Sequence, residues 1–322
     1  MSSDSLTDHS FAPVTDCWYL TGPTAAGKSA VALALAEKLD AEVISLDSMA
    51  IYRGMDIGTA KPSSGDRQVV PHHMLDIVEP TIEFSLAEYV ERAHATIAEI
   101  RGRGRDVLFV GGTPLYLKSM LRGIYIGPPA DWEFRNAIDA EVVEVGLEPL
   151  HARLAQVDPL SAEKLHPNDK RRIIRALEVY RLTGQPISHL QTQFEDAEPA
   201  DDCKVFVLGW PRVVLHARIE QRIDDMFERG LVDEVQQLLK QHGELSRTAM
   251  QAVGYREVIE MLEHDSDLDE TIELVKSRTR QFARRQETWF RSLEECRRVE
   301  LGREEFDAEG IADQILETAN ER

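Results

Sequence analysis

Residues 22–29, GPTAAGKS, match the pattern GxxxxGK[ST] at every defined position. The apolar run CWYL precedes them and the alanine-rich stretch SAVALALAEKL follows, so the pattern stands where a buried strand turns into a helix. No other feature constrains the chain as strongly. From Gly22 through Pro23, Thr24, Ala25 and Ala26 to Gly27 the backbone can curl its N–H groups into an anion nest. The two glycines permit the required conformations, and the helix N-terminus adds a favourable dipole. Lys28 then brings an ammonium to the outer phosphates, and Ser29 offers a hydroxyl to Mg2+. A glycine-rich turn that only caps a helix is the weaker reading, because motif and flanking context coincide.

The rest of the chain extends this start. AEVISL reads as a second strand, AEYVERAHATIAEI as a helix and DVLFV as a third strand. Strands alternating with helices imply right-handed crossovers and a parallel sheet covered on both faces. GPPADW signals a turn, and from Trp132 to about Leu190 the pattern is almost wholly helical, broken by HPND before KRRIIRALEVYRL. EDAEPADDC reads as an exposed acidic linker and CKVFVLGW as a strand returning to the sheet. Long helices are expected in LHARIEQRIDDMFERGLVDEVQQLLKQH and from about Asp269 to Arg298. The expected fold class is α/β: a P-loop NTPase-like parallel sheet flanked by helices, with a helical insertion domain and C-terminal helices. The expected divisions are a disordered tail over 1–15, a first part of the core over 16–129, the insertion over 130–198, and a return to the core over 199–322.

Charge and cysteine usage bound the setting. Among 322 residues, 37 Lys+Arg against 57 Asp+Glu give a net charge of −20, which by itself argues against a generic nucleic-acid coat or a basic membrane-surface protein. Cys17, Cys203 and Cys296 lie far apart without ligand-like spacing, so neither a disulfide framework nor a zinc site is signalled. The polar, acidic start lacks a signal peptide's pattern and no apolar run approaches the ~20 residues of a membrane span, so a soluble cytoplasmic protein without a membrane partner is expected.

Two strand ends refine the cradle. The second strand runs into Asp47-Ser48 and the third into GGTPLY with Thr113, both at the C-terminal sheet edge where ligands of open α/β folds bind. If those strands are neighbours, Asp47, Thr113 and the cradle converge. The residues alone leave three roles open for Asp47: acting on a ligand, capping a helix, or holding Mg2+. His72-His73, adjacent on an extended segment, point to opposite sides and read as structural.

GPTAAGKS, ISLDSMAIYRGMDIGTAKP, PHHMLDIVEP, LFVGGTPLY, HPNDKRRIIRALEVY, AVGYRE and RRQETWFR occur in that order between about residues 17 and 292. Together they resemble the tRNA dimethylallyltransferases, the bacterial tRNA isopentenyltransferase family. The resemblance implies transfer of a dimethylallyl group from dimethylallyl diphosphate to N6 of the adenosine just 3′ of the anticodon, releasing diphosphate, with Mg2+. It assigns Asp47 as general base, Thr113 as a hydroxyl near diphosphate and amine, and Arg218 as second cation on the diphosphate, with Arg222 one helical turn further. It implies contact with the tRNA anticodon stem-loop for Asp47, Ser48, Met49, Ala50, Thr113 and, in the insertion, Arg135. The same holds for Arg171, Arg172, Ile173, Ile174 and Arg175 in KRRIIR and for Gln251, Gly254, Tyr255 and Arg256 in QAVGYR. Arg284, Arg285, Gln286, Trp289 and Arg291 in RRQETWFR complete the set. Arginine forks suit phosphates, and Tyr255 and Trp289 could stack on bases. Many relatives carry DSxQ where this chain has Asp47-Ser48-Met49-Ala50, so an amide able to read an adenine edge is missing at Ala50. A monomer is expected.

An adenylate isopentenyltransferase shares the cradle, the Asp and the allyl chemistry, but the helical insertion and RRQETWFR favour tRNA. A P-loop nucleotide kinase leaves GGTPLY, AVGYRE and RRQETWFR unexplained, and an inert RNA-binding module needs no phosphate and carboxylate constellation. The charge also divides: acid gathers in EDAEPADD, EHDSDLDE and the C-terminal tail, arginine in KRRIIR and SRTRQFARRQETWFR. A basic groove on an acidic body follows, with tRNA binding that weakens as salt rises.

Overall fold

The structure, a computed structural model, describes residues 10–190, 203–302 and 306–320. Its contacts divide the chain into two units, one of Val14–Leu121 with Pro199–Arg322 and one of Met1–Pro13 with Arg122–Glu198.

The first unit is built on a six-stranded parallel sheet. Its strands are β2 (Trp18–Thr21), β3 (Ala41–Ser45), β4 (His72–His73), β5 (Asp106–Gly111), β7 (Lys204–Gly209) and β8 (Cys296–Glu300), in the order β4-β3-β5-β2-β7-β8. Two further strands, β1 (Ser10–Phe11) and β6 (Ile124–Tyr125), belong to the second unit. β2, β3, β5 and β7 are buried along most of their length because both faces are covered, Glu42 and Ser45 of β3 included. The register aligns Thr21 with Gly111 and with Val207, so the turns after β2 and β5 leave the sheet at one level while β7 continues two residues further to Gly209. The order places β3 beside β5 and β5 beside β2, the adjacency on which convergence of Asp47, Thr113 and the cradle depended. CKVFVLGW returns as β7 against the other side of β2.

The helices begin where their caps dictate. Ser85 accepts from the Glu88 N–H, with Glu88 closing a capping box, and starts Leu86–Gly102; its buried Tyr89, Val90, Ala93, Ile97 and Ile100 keep helical spacing. One helical expectation fails. The pattern to Arg298 ends in a helix at Arg291, and Cys296–Glu300 is instead the edge strand β8, paired with β7. Its buried Val299 between exposed Arg298 and Glu300 follows a period of two that the run of charges masks.

In the second unit β1 pairs antiparallel with β6. Ser10 and Phe11 thus carry ladder bonds inside the segment expected to be a disordered tail; residues 1–9 lie outside the described residues. The expected acidic linker also lies outside them as far as residue 202. Helices Trp132–Val145, Glu148–Val157, Pro159–Lys164, Lys170–Thr183 and Ile187–Leu190 surround a core of Ile138, Leu150, Leu154, Ala162, Ile173, Ile174, Ala176 and Leu177. HPND breaks the pattern as expected, with Asp169 capping Lys170–Thr183.

Candidate active site

The helix Lys28–Leu39 opens at Gly27, which is left-handed at φ 94° and leaves the first turn without a side-chain cap. Gly22 also has a positive φ, and a Cβ there would press on the Leu208 carbonyl oxygen at 2.8 Å. The loop therefore closes tightly over β7, with its Ala26 N–H on the Pro23 carbonyl at 3.3 Å, and the uncapped first turn of the helix is what offers amides to an anion. Lys28 folds back onto it, its Nζ donating to the carbonyls of Gly22 at 3.0 Å and Pro23 at 2.8 Å. Burial, and then repulsion from Arg222, pull this ammonium down to about 7 against the opposing field of Asp47. Ser29 is exposed at the first turn.

Asp47 and Thr113 meet as the strand order requires. Thr113 donates its N–H to the Leu46 carbonyl at 3.2 Å, and its Oγ1 accepts the Ser48 N–H at 3.1 Å. Asp47 Oδ1 accepts from the N–H groups of Met49 at 2.8 Å and Ala50 at 3.2 Å, which leaves Oδ2 outside those bonds. The carboxylate thus caps a turn with one oxygen; no helix follows it, so the helix-capping role left open from sequence is not the one it takes. Gly111 and Gly112 are required by close approach, Gly111 against the backbone of Leu46 and Gly112 against Gln286 Nε2 and the Gly22 carbonyl. Ser48 and Met49 are half-buried on the same loop; Ala50 is buried and directs no side chain outward.

The cations beside the cradle have no carboxylate partner among the described residues. Arg218 donates Nε–H to the Ala25 carbonyl at 2.9 Å, and its guanidinium lies 4.7 Å from the Trp210 ring centroid. Arg222 shares the helix Arg212–Glu228 and feels the charges of both Lys28 and Asp47. Burial lowers both guanidinium pKa values. The oxygen donors here, the Ser29 hydroxyl and the Asp47 carboxylate, suit a hard cation such as Mg2+ that keeps phosphate oxygens and waters as its remaining ligands. Among the described residues no three His, Cys, Asp or Glu side chains form a metal cluster; His73 instead bonds Glu42 at 2.6 Å and His72 the Val70 carbonyl at 2.7 Å.

Several residues expected on tRNA are committed elsewhere. Gln286 is buried; it accepts the Thr24 N–H at 2.9 Å and donates to the Gly112 carbonyl at 2.6 Å, clamping the cradle to the glycine turn. Tyr255 is fully buried, donating to Glu234 at 2.5 Å and accepting from the Gly58 N–H at 3.2 Å, so its ring does not stack on a base. Gly254, at φ 100°, is buried and donates to Glu257 at 2.6 Å, and Arg256 pairs with Glu257 at 2.9 Å. Ile173 and Ile174 belong to the second unit's core. There Arg135 grips the buried Glu178 with two bonds of 2.8 Å, and Arg175 joins the same carboxylate. Arg171, Arg172, Gln251, Arg284, Arg285 and Arg291 are exposed, and Trp289 is half-buried. Arg284 and Arg291 line a cleft with Arg212, His216, Arg280 and Glu287.

Sequence reasoning missed the supports. Trp210, visible only as the end of an apolar run, donates Nε1–H to the Ala26 carbonyl at 2.9 Å. Glu178 and Glu257 look like ordinary helix charges until folding buries them among arginines.

Comparison with known proteins identifies the family. The profile of the family described as IPP transferase matches residues 50–293. A tRNA dimethylallyltransferase of Rhodopirellula baltica is 50% identical over 317 residues, 96% of this chain and 94% of its own length. One of Geobacter metallireducens is 47% identical over 270 residues, 84% of this chain and 87% of its own. Among solved structures, the full-length tRNA isopentenylpyrophosphate transferase of Bacillus halodurans superposes with a TM-score of 0.67 at 37% identity, covering 95% of each chain. A eukaryotic dimethylallyltransferase acting on tRNA gives 0.70 at 28% identity, covering 88% of this chain and 73% of its own.

Proposed function

The chain belongs to the IPP transferase family, and from that premise we propose that it transfers the dimethylallyl group of dimethylallyl diphosphate to N6 of the adenosine 3′-adjacent to the anticodon in tRNA. The observation that carries this reading is the bonding of Thr113 to Leu46 and Ser48, the two chain neighbours of Asp47, beside an uncapped phosphate cradle.

A diphosphate in the cradle meets the loop amides, and Lys28 turns from the Gly22 and Pro23 carbonyls to its oxygens. Arg218 adds a second cation. Ser29 would hold Mg2+, which supplies further charge neutralisation for the leaving group. As the allylic C–O bond breaks, N6 forms the new C–N bond to the same carbon, and the N6 proton passes to Asp47 Oδ2 while diphosphate leaves. The bonds at Oδ1 hold the carboxylate in place during that transfer. An exocyclic amine is a weak nucleophile because its lone pair is delocalised into the ring, so proton removal during bond formation is the contribution asked of Asp47. The base must leave its stack to reach this point, and an anticodon loop surrenders less stacking than a duplex.

Exposed Arg284, Arg285 and Arg291 supply phosphate contacts in this reading, as do Arg171 and Arg172 in the helical unit. In this reading the protein works in the cytoplasm as a monomer. The test incubates the protein with radiolabelled dimethylallyl diphosphate, Mg2+, and either tRNA or AMP. Label on tRNA is expected. Label on AMP alone would assign the chain to free-nucleotide prenylation, and phosphoryl transfer from ATP to a nucleotide would assign it to the kinases.

A further inference from the structure

Phe306 lies beyond every block of the family resemblance and beyond the matched profile, yet its ring sits on the phosphate cradle. A Cβ added at Gly27 would meet its Cζ at 2.6 Å and Arg218 Nη2 at 3.4 Å, so ring and guanidinium share the space above the last loop residue. The Arg218 guanidinium carbon is 5.2 Å from the Phe306 centroid and 4.7 Å from that of Trp210. The two rings are 6.1 Å apart, inclined by 34°. Arg218 therefore rests against two neighbouring aromatic rings at once. Both inner members are tied to the loop: Trp210 through the Ala26 carbonyl, Arg218 Nε through that of Ala25.

The ring arrives by a built route. The helix Ala308–Asn320 lies along Lys28–Leu39, burying Ala312 and Ile315, and Lys38 bonds Glu309 at 3.2 Å and Asp313 at 2.8 Å. The helix that carries the cradle thus anchors the segment that delivers Phe306. Aromatic faces attract a guanidinium without neutralising it, whereas a carboxylate would cancel the charge a diphosphate needs.

We propose that Phe306 is a positioning residue for Arg218, fixing its guanidinium edge toward the diphosphate of the prenyl donor. This rests on the reading that Arg218 contacts that diphosphate. Gly27 is part of the same device: a side chain there would evict the ring.

The test uses the full chain and inorganic diphosphate with Mg2+, measured by calorimetry, beside KM for dimethylallyl diphosphate and for tRNA. Phe306→Ala should weaken diphosphate binding about fivefold to tenfold and raise the donor KM equally, the range of a partly desolvated cation–π contact, with the tRNA KM unchanged. Phe306→Tyr should restore binding to within about twofold. Phe306→Leu, which fills space without a π face, should behave as Phe306→Ala. Adding Phe306→Ala to Arg218→Ala should cost nothing further. Normal binding in Phe306→Leu, or additive losses in the double variant, would overturn the inference while leaving the proposed role of Arg218 intact. Normal diphosphate binding in Arg218→Ala would overturn that role itself and the inference with it.

Discussion

The two units hold their arginines in opposite ways. In the helical unit Arg135 and Arg175 converge on the buried Glu178, which also accepts the Asp131 N–H at 2.7 Å. At the cradle, Lys28 and Arg218 are held by backbone carbonyls and aromatic rings, and no carboxylate neutralises them. A cation paired with a buried acid serves the fold, because its charge is already spent. A cation held by neutral dipoles and π faces keeps its charge for a ligand. The same motif logic nominated both groups, and only the partner of each arginine separates them.

Breaking each side should have different consequences. Lys28→Ala removes a preorganised cation from the leaving group, and turnover should fall about 10²–10³-fold with thermal stability unchanged, measured by steady-state kinetics and melting. Glu178→Gln should act in reverse: a loss of about 1–3 kcal/mol in unfolding free energy with diphosphate affinity unchanged, read by denaturant titration and calorimetry. For the exposed arginines the effect is smaller and depends on salt. Arg284→Ala and Arg285→Ala should each lower the slope of log affinity for tRNA against log salt by about one, and equal slopes would deny them phosphate contacts.

The last contrast is read against pH, at Glu42 on β3. Arg103 hydrogen bonds, against burial and with help from His73, hold the Glu42 carboxyl down to about 2 from its ordinary 4.5. Because the folded value is the lower one, its stabilisation is complete above about 4.5 and is lost as pH falls through about 2. Glu42→Gln should flatten the stability curve in that window, with no change in activity at neutral pH.

What could be read in the sequence follows from how local each signal is. The cradle, the strands around it and the Asp47 turn depend on neighbours within a few residues, so their patterns survive in the linear chain. Gln286 could not be read correctly, because its partners Thr24 and Gly112 are far away in sequence and only the folded sheet edge brings them together. Tyr255 fails for a related reason: an aromatic beside an arginine resembles a base platform until Glu234 and Gly58 are found around its hydroxyl. β8 was hidden because arginines and glutamates on an edge strand mimic the solvated face of the preceding helix. Phe306 carries no motif, and its meaning lies entirely in what it touches.

The most direct measurement is single-turnover transfer by Asp47→Asn with saturating dimethylallyl diphosphate, beside the Kd for tRNA. Asparagine keeps an oxygen to accept the Met49 and Ala50 N–H groups but cannot take the N6 proton. The expected result is a rate about 10²–10⁴-fold lower with tRNA affinity within about twofold of normal. An unchanged rate would contradict proton transfer to Asp47, and with it the assignment of the crevice between cradle and Thr113 as the place where the bond is made.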